Sequence, residues 1–228
     1  FDGKDWGTLT LYMGAFVRKA HGSVRRDRML LVNHVLILAN TGIRVGEARN
    51  LKWRDIRPIT TPDGTETVAM VVRGKTGMRE VVARTSDVKK WFNSILTERK
   101  IDLGDEGSDL RNARAVPLDT FVFCGRDGIP IGSFKKSFAT LLKDAGVEFD
   151  TFGNKRTLYS LRHTYATFRL HEGVNQYVLA RNMGTSVAML EQFYGHTSNI
   201  TSADELMKTS TRKVIKSSNK RETKDDLG

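Results

Sequence analysis

Tyr159-Ser160-Leu161-Arg162-His163-Thr164-Tyr165-Ala166-Thr167 is the stretch on which the reading of this chain turns. Leu161, Tyr165 and Phe168 recur at helical spacing, and Gly173 ends the pattern. Ser160 is the expected N-cap, because its side-chain oxygen can accept from an early backbone N–H. That start places Arg162 in the first helical turn, where unpaired N–H groups favour an anion. A guanidinium there can hold a phosphate through two parallel hydrogen bonds. By itself, the same arginine reads as an ordinary solvated helix residue.

Downstream, the pattern stays helical. Asn175 caps a helix to about Asn182, with Gly184 closing it. Ser186 caps another that carries Val187, Leu190 and Tyr194 on one face. Residues 201–228 read as a short helix and a basic tail, with seven basic and three acidic residues over 208–228. Upstream, Leu9, Met13 and Phe16 predict a helix over 8–21, and residues 28–40 one that is apolar nearly all round and so central. Gly42 caps it, and a short helix runs from Arg44 to Leu51. Thr67–Val72 and Arg79–Arg84 are rich in β-branched residues and separated by turn sequences. With residues from 54 onward they predict a small three-stranded antiparallel sheet. A helix over 86–99, a polar loop over 100–118, a short strand at Phe121–Phe123 and a helix from Ser133 to Ala145 complete the reading. The fold class is α+β, mostly helical.

The chain has 228 residues and 39% hydrophobic residues, enough for a real core. Its net charge of +11 favours a polyanionic partner, since each neutralised phosphate releases counterions. An anionic membrane has less support, because no apolar run reaches about 18 residues. The single cysteine, Cys124, excludes an internal disulfide and a cysteine-based zinc cluster. The five histidines have no metal-binding spacing, and there is no Walker loop or GxGxxG. No cofactor is expected.

Three further features carry chemistry. Thr41-Gly42-Ile43-Arg44-Val45-Gly46-Glu47 places a second arginine at the start of a helix. Lys75 sits in the turn Gly74-Lys75-Thr76-Gly77 between two strands, where an ammonium can donate a proton to a leaving oxygen. Tyr194 follows Thr185 by nine residues, in Glu191-Gln192-Phe193-Tyr194-Gly195-His196. Taken one at a time, these read as an Arg–Glu surface pair, a solvated turn lysine and a core tyrosine.

Together, in this order, the two arginine boxes, the lysine turn and the late tyrosine resemble the tyrosine recombinases, the phage integrase family. The resemblance covers about residues 8–200. It implies that Tyr194 attacks a DNA phosphate to form a 3′-phosphotyrosyl bond and that Lys75 protonates the departing 5′ oxygen. It implies that Arg44 and Arg162 hold the non-bridging oxygens, with Glu47 supporting the site. Tyr159 and Thr185 stand where the family usually has histidine or, at the second place, tryptophan. Both can donate a hydrogen bond to phosphate, and Thr185 is equally a helix N-cap. His163 is a packing or supporting histidine. The implied partners are double-stranded DNA and three further copies in a tetramer on DNA, with a monomer in free solution and no membrane. The implied location is cytoplasmic, on prokaryotic or phage-borne DNA. The expected organisation is a catalytic domain over 1–200 and a C-terminal helix and tail over 201–228, without the family's N-terminal core-binding domain. Two other readings remain open: a DNA-binding protein on the same fold with a weak or inactive site, and a type IB topoisomerase-like enzyme.

Overall fold

Leu9, Met13 and Phe16 are all buried on one stripe of helix α1 (Gly3–Arg18), whose N-cap Asp2 accepts from the Asp5 backbone N–H at 2.8 Å. The computed structural model describes residues 1–74, 77–103 and 116–194, the side chains of Phe193 and Tyr194 excepted. Helix α2 (Gly22–Thr41) begins six residues before the apolar run that predicted it and buries Leu30, Leu31, Val35, Ile37 and Leu38 almost completely. It packs against α1 on one side and against the later helices on the others. Gly42 ends it in the left-handed region (φ 66°), with its N–H on Leu38 O at 3.0 Å, as the sequence predicted.

The short helix α3 (Val45–Arg49) follows, then a 3₁₀ turn at Trp53–Asp55. The sheet is three-stranded and antiparallel in the order β1 (Ile56–Thr60), β2 (Glu66–Gly74), β3 (Gly77–Val82). Gly74 pairs with Gly77 where β2 and β3 meet. Lys75 lies between them, outside the described residues. The central strand β2 buries Val68, Met70 and Val72 in the main core.

Helix α4 (Val88–Asp102) runs three residues past its expected end. The cause is tertiary. The two oxygens of Asp102 share the Nε–H of buried Arg26, at 2.9 and 3.1 Å, and Arg99 Nη1 reaches Arg126 O at 2.7 Å. The rest of the expected loop over 100–118 lies largely outside the described residues. Phe121–Phe123 is not a strand. Its backbone bonds are split, Val122 N to Leu51 O and Ile131 N to Phe123 O, both at 2.9 Å, so no continuous ladder forms although Val122 and Phe123 are core residues.

Helix α5 (Lys135–Asp144) precedes α6 (Leu158–His171). Ser160 is not the N-cap of α6. Thr157 is, and the Ser160 hydroxyl reaches back to accept from the Thr157 N–H at 3.0 Å. Arg162 is therefore the fifth residue of the helix, beyond the first turn. Helices α7 (Gln176–Met183) and α8 (Val187–Tyr194) follow. Asn175 caps α7 through its side chain, Gly184 closes it at φ 65°, and the Ser186 hydroxyl accepts from Met189 N at 3.2 Å in α8. Tyr165, Ala166, Leu179, Ala180, Met183 and Leu190 form a second apolar cluster that joins α6, α7 and α8. Residues 201–228, with the expected C-terminal helix, lie outside the described residues.

Candidate active site

Arg44 is the N-cap residue of α3, in extended conformation (φ −74°, ψ 150°). Its backbone N–H donates to Glu47 Oε2 at 2.8 Å and its Nη1 to Glu47 Oε1 at 2.9 Å. Its Nη2 donates to Gly184 O at 2.6 Å. The surface Arg–Glu pair of the one-residue reading is thus half right. The pair exists, but Glu47 is buried, with 2% of its surface exposed.

Arg162 is buried and donates to Gly42 O. Burial pushes its pKa down to about 10, helped by the positive charges of Arg44 and Arg79 and opposed by Glu47 and Tyr159. Arg162 thus bonds the carbonyl two residues before Arg44, and an anion bound there would be stabilised by both positive charges. The helix N-terminus expected to assist Arg162 does not, since the residue sits past the first turn. The carbonyl of Gly42 holds it instead.

Burial raises the pKa of Glu47, but hydrogen bonds from Arg79 and from Arg44 outweigh it and bring it down to about 2. Glu47 is therefore an anion at every physiological pH. Arg79 lies on β3 and was not singled out in the sequence. It grips both oxygens of Glu47, at 2.6 and 2.8 Å, and its Nε donates to Asn182 O at 3.1 Å. The only sequence signal was its place in a strand four residues after Lys75, between Met78 and Glu80, which reads as a solvent face.

Asn182 was also missed. Its side chain accepts from Val82 N at 2.9 Å and donates to Val82 O at 3.3 Å, closing the edge of β3 as another strand would. It also donates to the Tyr165 hydroxyl at 3.0 Å. Glycines allow the close approaches. A Cβ on Gly42 would stand 2.3 Å from Tyr165 Cδ1, one on Gly74 2.6 Å from Glu47 Oε1, and one on Gly184 2.7 Å from Arg79 Cζ.

Tyr159 is more than half exposed and sets its ring edge-on to His163 at 4.7 Å. Burial, then Arg162, lowers the His163 pKa, so the ring is neutral at pH 7. Thr185 is half-buried directly after Gly184, its N–H on Ala180 O at 3.0 Å. Tyr194 is the last described residue of α8, a helix anchored by buried Leu190 against α6 and α7. The position of its side chain and that of Lys75 lie outside the described residues. A cleft of about 520 Å³ lies between β3, α6 and α7, with Arg79, Arg84, Tyr165 and Arg181 in its walls. Neither Arg44 nor Arg162 lines it.

This architecture is the tyrosine recombinase catalytic-domain fold. The structure of the XerH site-specific recombinase in a post-cleavage complex superposes on it with a TM-score of 0.64, at 18% identity over 91% of this chain and 52% of that one. The Tn1549 transposon integrase bound to transposon right-end DNA gives 0.57, at 19% identity over 90% and 64%. A lambda integrase dimer on a core site gives 0.53, at 14% over 84% and 57%.

The model of the phage integrase family matches residues 15–199, and the chain belongs to that family. A candidate integrase/recombinase of Sinorhizobium fredii, y4rB, is 23% identical over 187 residues, 78% of this chain and 53% of that protein. The chain thus spans about half the length of this curated relative and of the XerH recombinase.

Proposed function

We propose that residues 1–200 form the catalytic domain of a site-specific DNA recombinase that cuts and rejoins duplex DNA through a covalent tyrosine ester. The observation that carries the reading is the pair Arg44 and Arg162, drawn from boxes 118 residues apart: Arg162 donates to Gly42 O, two residues before Arg44, and the buried carboxylate of Glu47 holds Arg44. Two guanidiniums held at one place have a use when a phosphate arrives. They neutralise its non-bridging oxygens and stabilise the charge of a pentavalent transition state. The DNA-bound state of the XerH and Tn1549 neighbours supports duplex DNA as the partner.

In this mechanism the Tyr194 hydroxyl gives up its proton to solvent as its oxygen attacks phosphorus, the bond to the 5′ oxygen breaks, and Lys75 supplies the proton that the 5′ oxygen takes up. Tyr159 and Thr185 donate hydrogen bonds to the phosphate. The energy of the broken ester is kept in the phosphotyrosine, so a second 5′ hydroxyl reseals the strand without ATP. The protein is a monomer when free and acts as a tetramer on paired sites. A second reading, a DNA-binding protein with a silent site, is favoured by the hydroxyl residues at 159 and 185.

One experiment separates them. Nicked duplexes with randomised half-sites, which lose the 5′ fragment on cleavage, should trap the chain as an SDS-stable adduct. Tyr194→Phe should lower trapping by at least about 10³-fold. Equal trapping by Tyr194→Phe would remove Tyr194 from the mechanism. No trapping by the unaltered chain would favour the silent-site reading.

A further inference from the structure

Arg79 has no part in the mechanism just set out, yet it holds both oxygens of the buried Glu47. It is a strand residue whose side chain is 14% exposed, against 36% for Arg44. Of the two guanidiniums on Glu47, then, Arg79 is the buried anchor and Arg44 the one that faces outward. Their geometries on the carboxylate also differ. Arg79 takes both oxygens side by side, at 2.6 and 2.8 Å, while the side chain of Arg44 takes one bond at 2.9 Å. Arg44 fixes its remaining orientation elsewhere, through Gly184 O at 2.6 Å and through its own N–H on Glu47 Oε2 at 2.8 Å.

The charges explain why two arginines share one carboxylate. A buried Glu47 facing Arg44 alone would cancel it. The pair would be neutral, and a phosphate would have to compete with a fixed carboxylate at hydrogen-bond distance. With Arg79 clamped onto Glu47, the three groups sum to +1, and the uncancelled charge belongs to the outward guanidinium. The burial of Glu47 makes the effect large, because a carboxylate out of water interacts strongly with its neighbours.

The same contact locks the surroundings. Glu47 lies against Gly74, the residue before Lys75, and Arg79 lies against Gly184, the residue before Thr185. Through Nε, Arg79 also holds the end of α7 at Asn182 O. Three chain segments, carrying Arg44, Lys75 and Thr185, meet on one salt bridge.

We propose that Arg79 is a positioning residue for Arg44: by occupying both oxygens of Glu47 it neutralises the buried carboxylate, so that Glu47 orients Arg44 without cancelling the charge offered to the phosphate. This rests on the recombinase reading above. Arg79 itself does not touch the phosphate, which gives a distinctive expectation. Its importance depends on the charge of Glu47.

The test is a double-mutant cycle on the 228-residue chain: Arg79→Met, Glu47→Gln and the two combined. The rate of adduct formation on the nicked randomised duplexes is measured per DNA-bound protein, with folding checked by circular dichroism. Arg79→Met should slow adduct formation about 100-fold, the scale expected when a catalytic group is misplaced by about 1 Å. In the Glu47→Gln background the same change should cost less than about 3-fold, since no charge remains to neutralise. Arg79→Lys, which restores the charge without the two-pronged grip, should recover at least about 10-fold over Arg79→Met. A role in folding alone would leave the rate per bound protein unchanged, which overturns the proposal. So would a loss near 100-fold in both backgrounds, which would mean that Arg79 acts on the DNA directly. If Arg79→Met does not fold, the comparison of Glu47→Gln with the double variant decides by the same criterion. Absence of adduct from the unaltered chain overturns the recombinase reading and takes this inference with it. Adduct from the unaltered chain together with a flat cycle overturns the inference alone.

Discussion

Gly42 shows how much one residue can be asked to do. Its positive φ ends α2, its carbonyl accepts from Arg162, and its missing Cβ admits the ring of Tyr165. Alanine there would bear the left-handed backbone cost of about 1–2 kcal/mol and a clash at 2.3 Å with a ring that cannot retreat. Tyr165 is 3% exposed and its hydroxyl is held by Asn182. Gly42→Ala should therefore cost about 3 kcal/mol or more in urea unfolding. A cost below about 1 kcal/mol would mean that the ring moves freely. The glycine was legible in the sequence as a cap. Its second role was not, because a cap is a local pattern and the tyrosine lies 123 residues away.

At the scale of elements, the sheet and the helical half of the site are joined at one seam. β3 is an edge strand, and α7 covers it through Asn182, whose side chain pairs with both backbone groups of Val82 while its carbonyl takes Arg79 Nε. At about 1 kcal/mol for each net hydrogen bond, Asn182→Leu should cost about 2–3 kcal/mol, counting the Tyr165 hydroxyl it would leave without that donor. It should also speed exchange of the Val82 amide far more than that of Met70 in the central strand, which hydrogen exchange by NMR would read. Equal protection at both amides in the variant would show that the seam is held by something other than Asn182. Helix and strand types were legible here from periodicity and β-branched runs, and the caps Asn175, Gly184 and Ser186 were correct. The misplacements at Ser160, at Phe121–Phe123 and at the end of α4 share one cause. In each, a partner distant in sequence or a neighbouring turn residue overrode the local signal.

For the whole molecule, the buried charges and one buried histidine set the response to acid. His34 is 2% exposed, packed against the rings of Phe123 and Phe134, with no hydrogen-bond partner at either ring nitrogen among the described residues. Burial lowers its pKa to about 3 from an ordinary 6.5. The unfolded chain binds a proton below pH 6.5 and the folded chain does not until about 3, so stability falls as pH drops through that interval, by up to about 1.4 kcal/mol per unit. Glu47 acts in the same direction but lower. Its stabilisation is complete above 4.5 and lost between 4.5 and about 2. His163, also lowered, adds to the upper window. Denaturant unfolding at pH 7, 5.5 and 4.5 should thus show a steep loss of stability, and His34→Leu should remove the larger part of it. An unchanged slope in His34→Leu would show that His34 is not the group responsible.

The sequence by itself determined the family resemblance, the order of the elements, and the local turns that present Arg44 and Thr185. Those depend on residues within a few positions of one another, where backbone geometry and capping chemistry act. Only the tertiary structure decided who holds whom. Arg44 meets Gly184 across 140 residues, Arg162 meets Gly42 across 120, and Arg79 meets Glu47 across 32 and Asn182 across 103. Such pairings arise when burial strips water from a guanidinium and leaves it to find the nearest carbonyl or carboxylate acceptor, a choice made by packing rather than by period. Glu47 makes the point in one residue. In the sequence it is the acid three places after an arginine, and in the fold it is the buried anion on which two arginines converge.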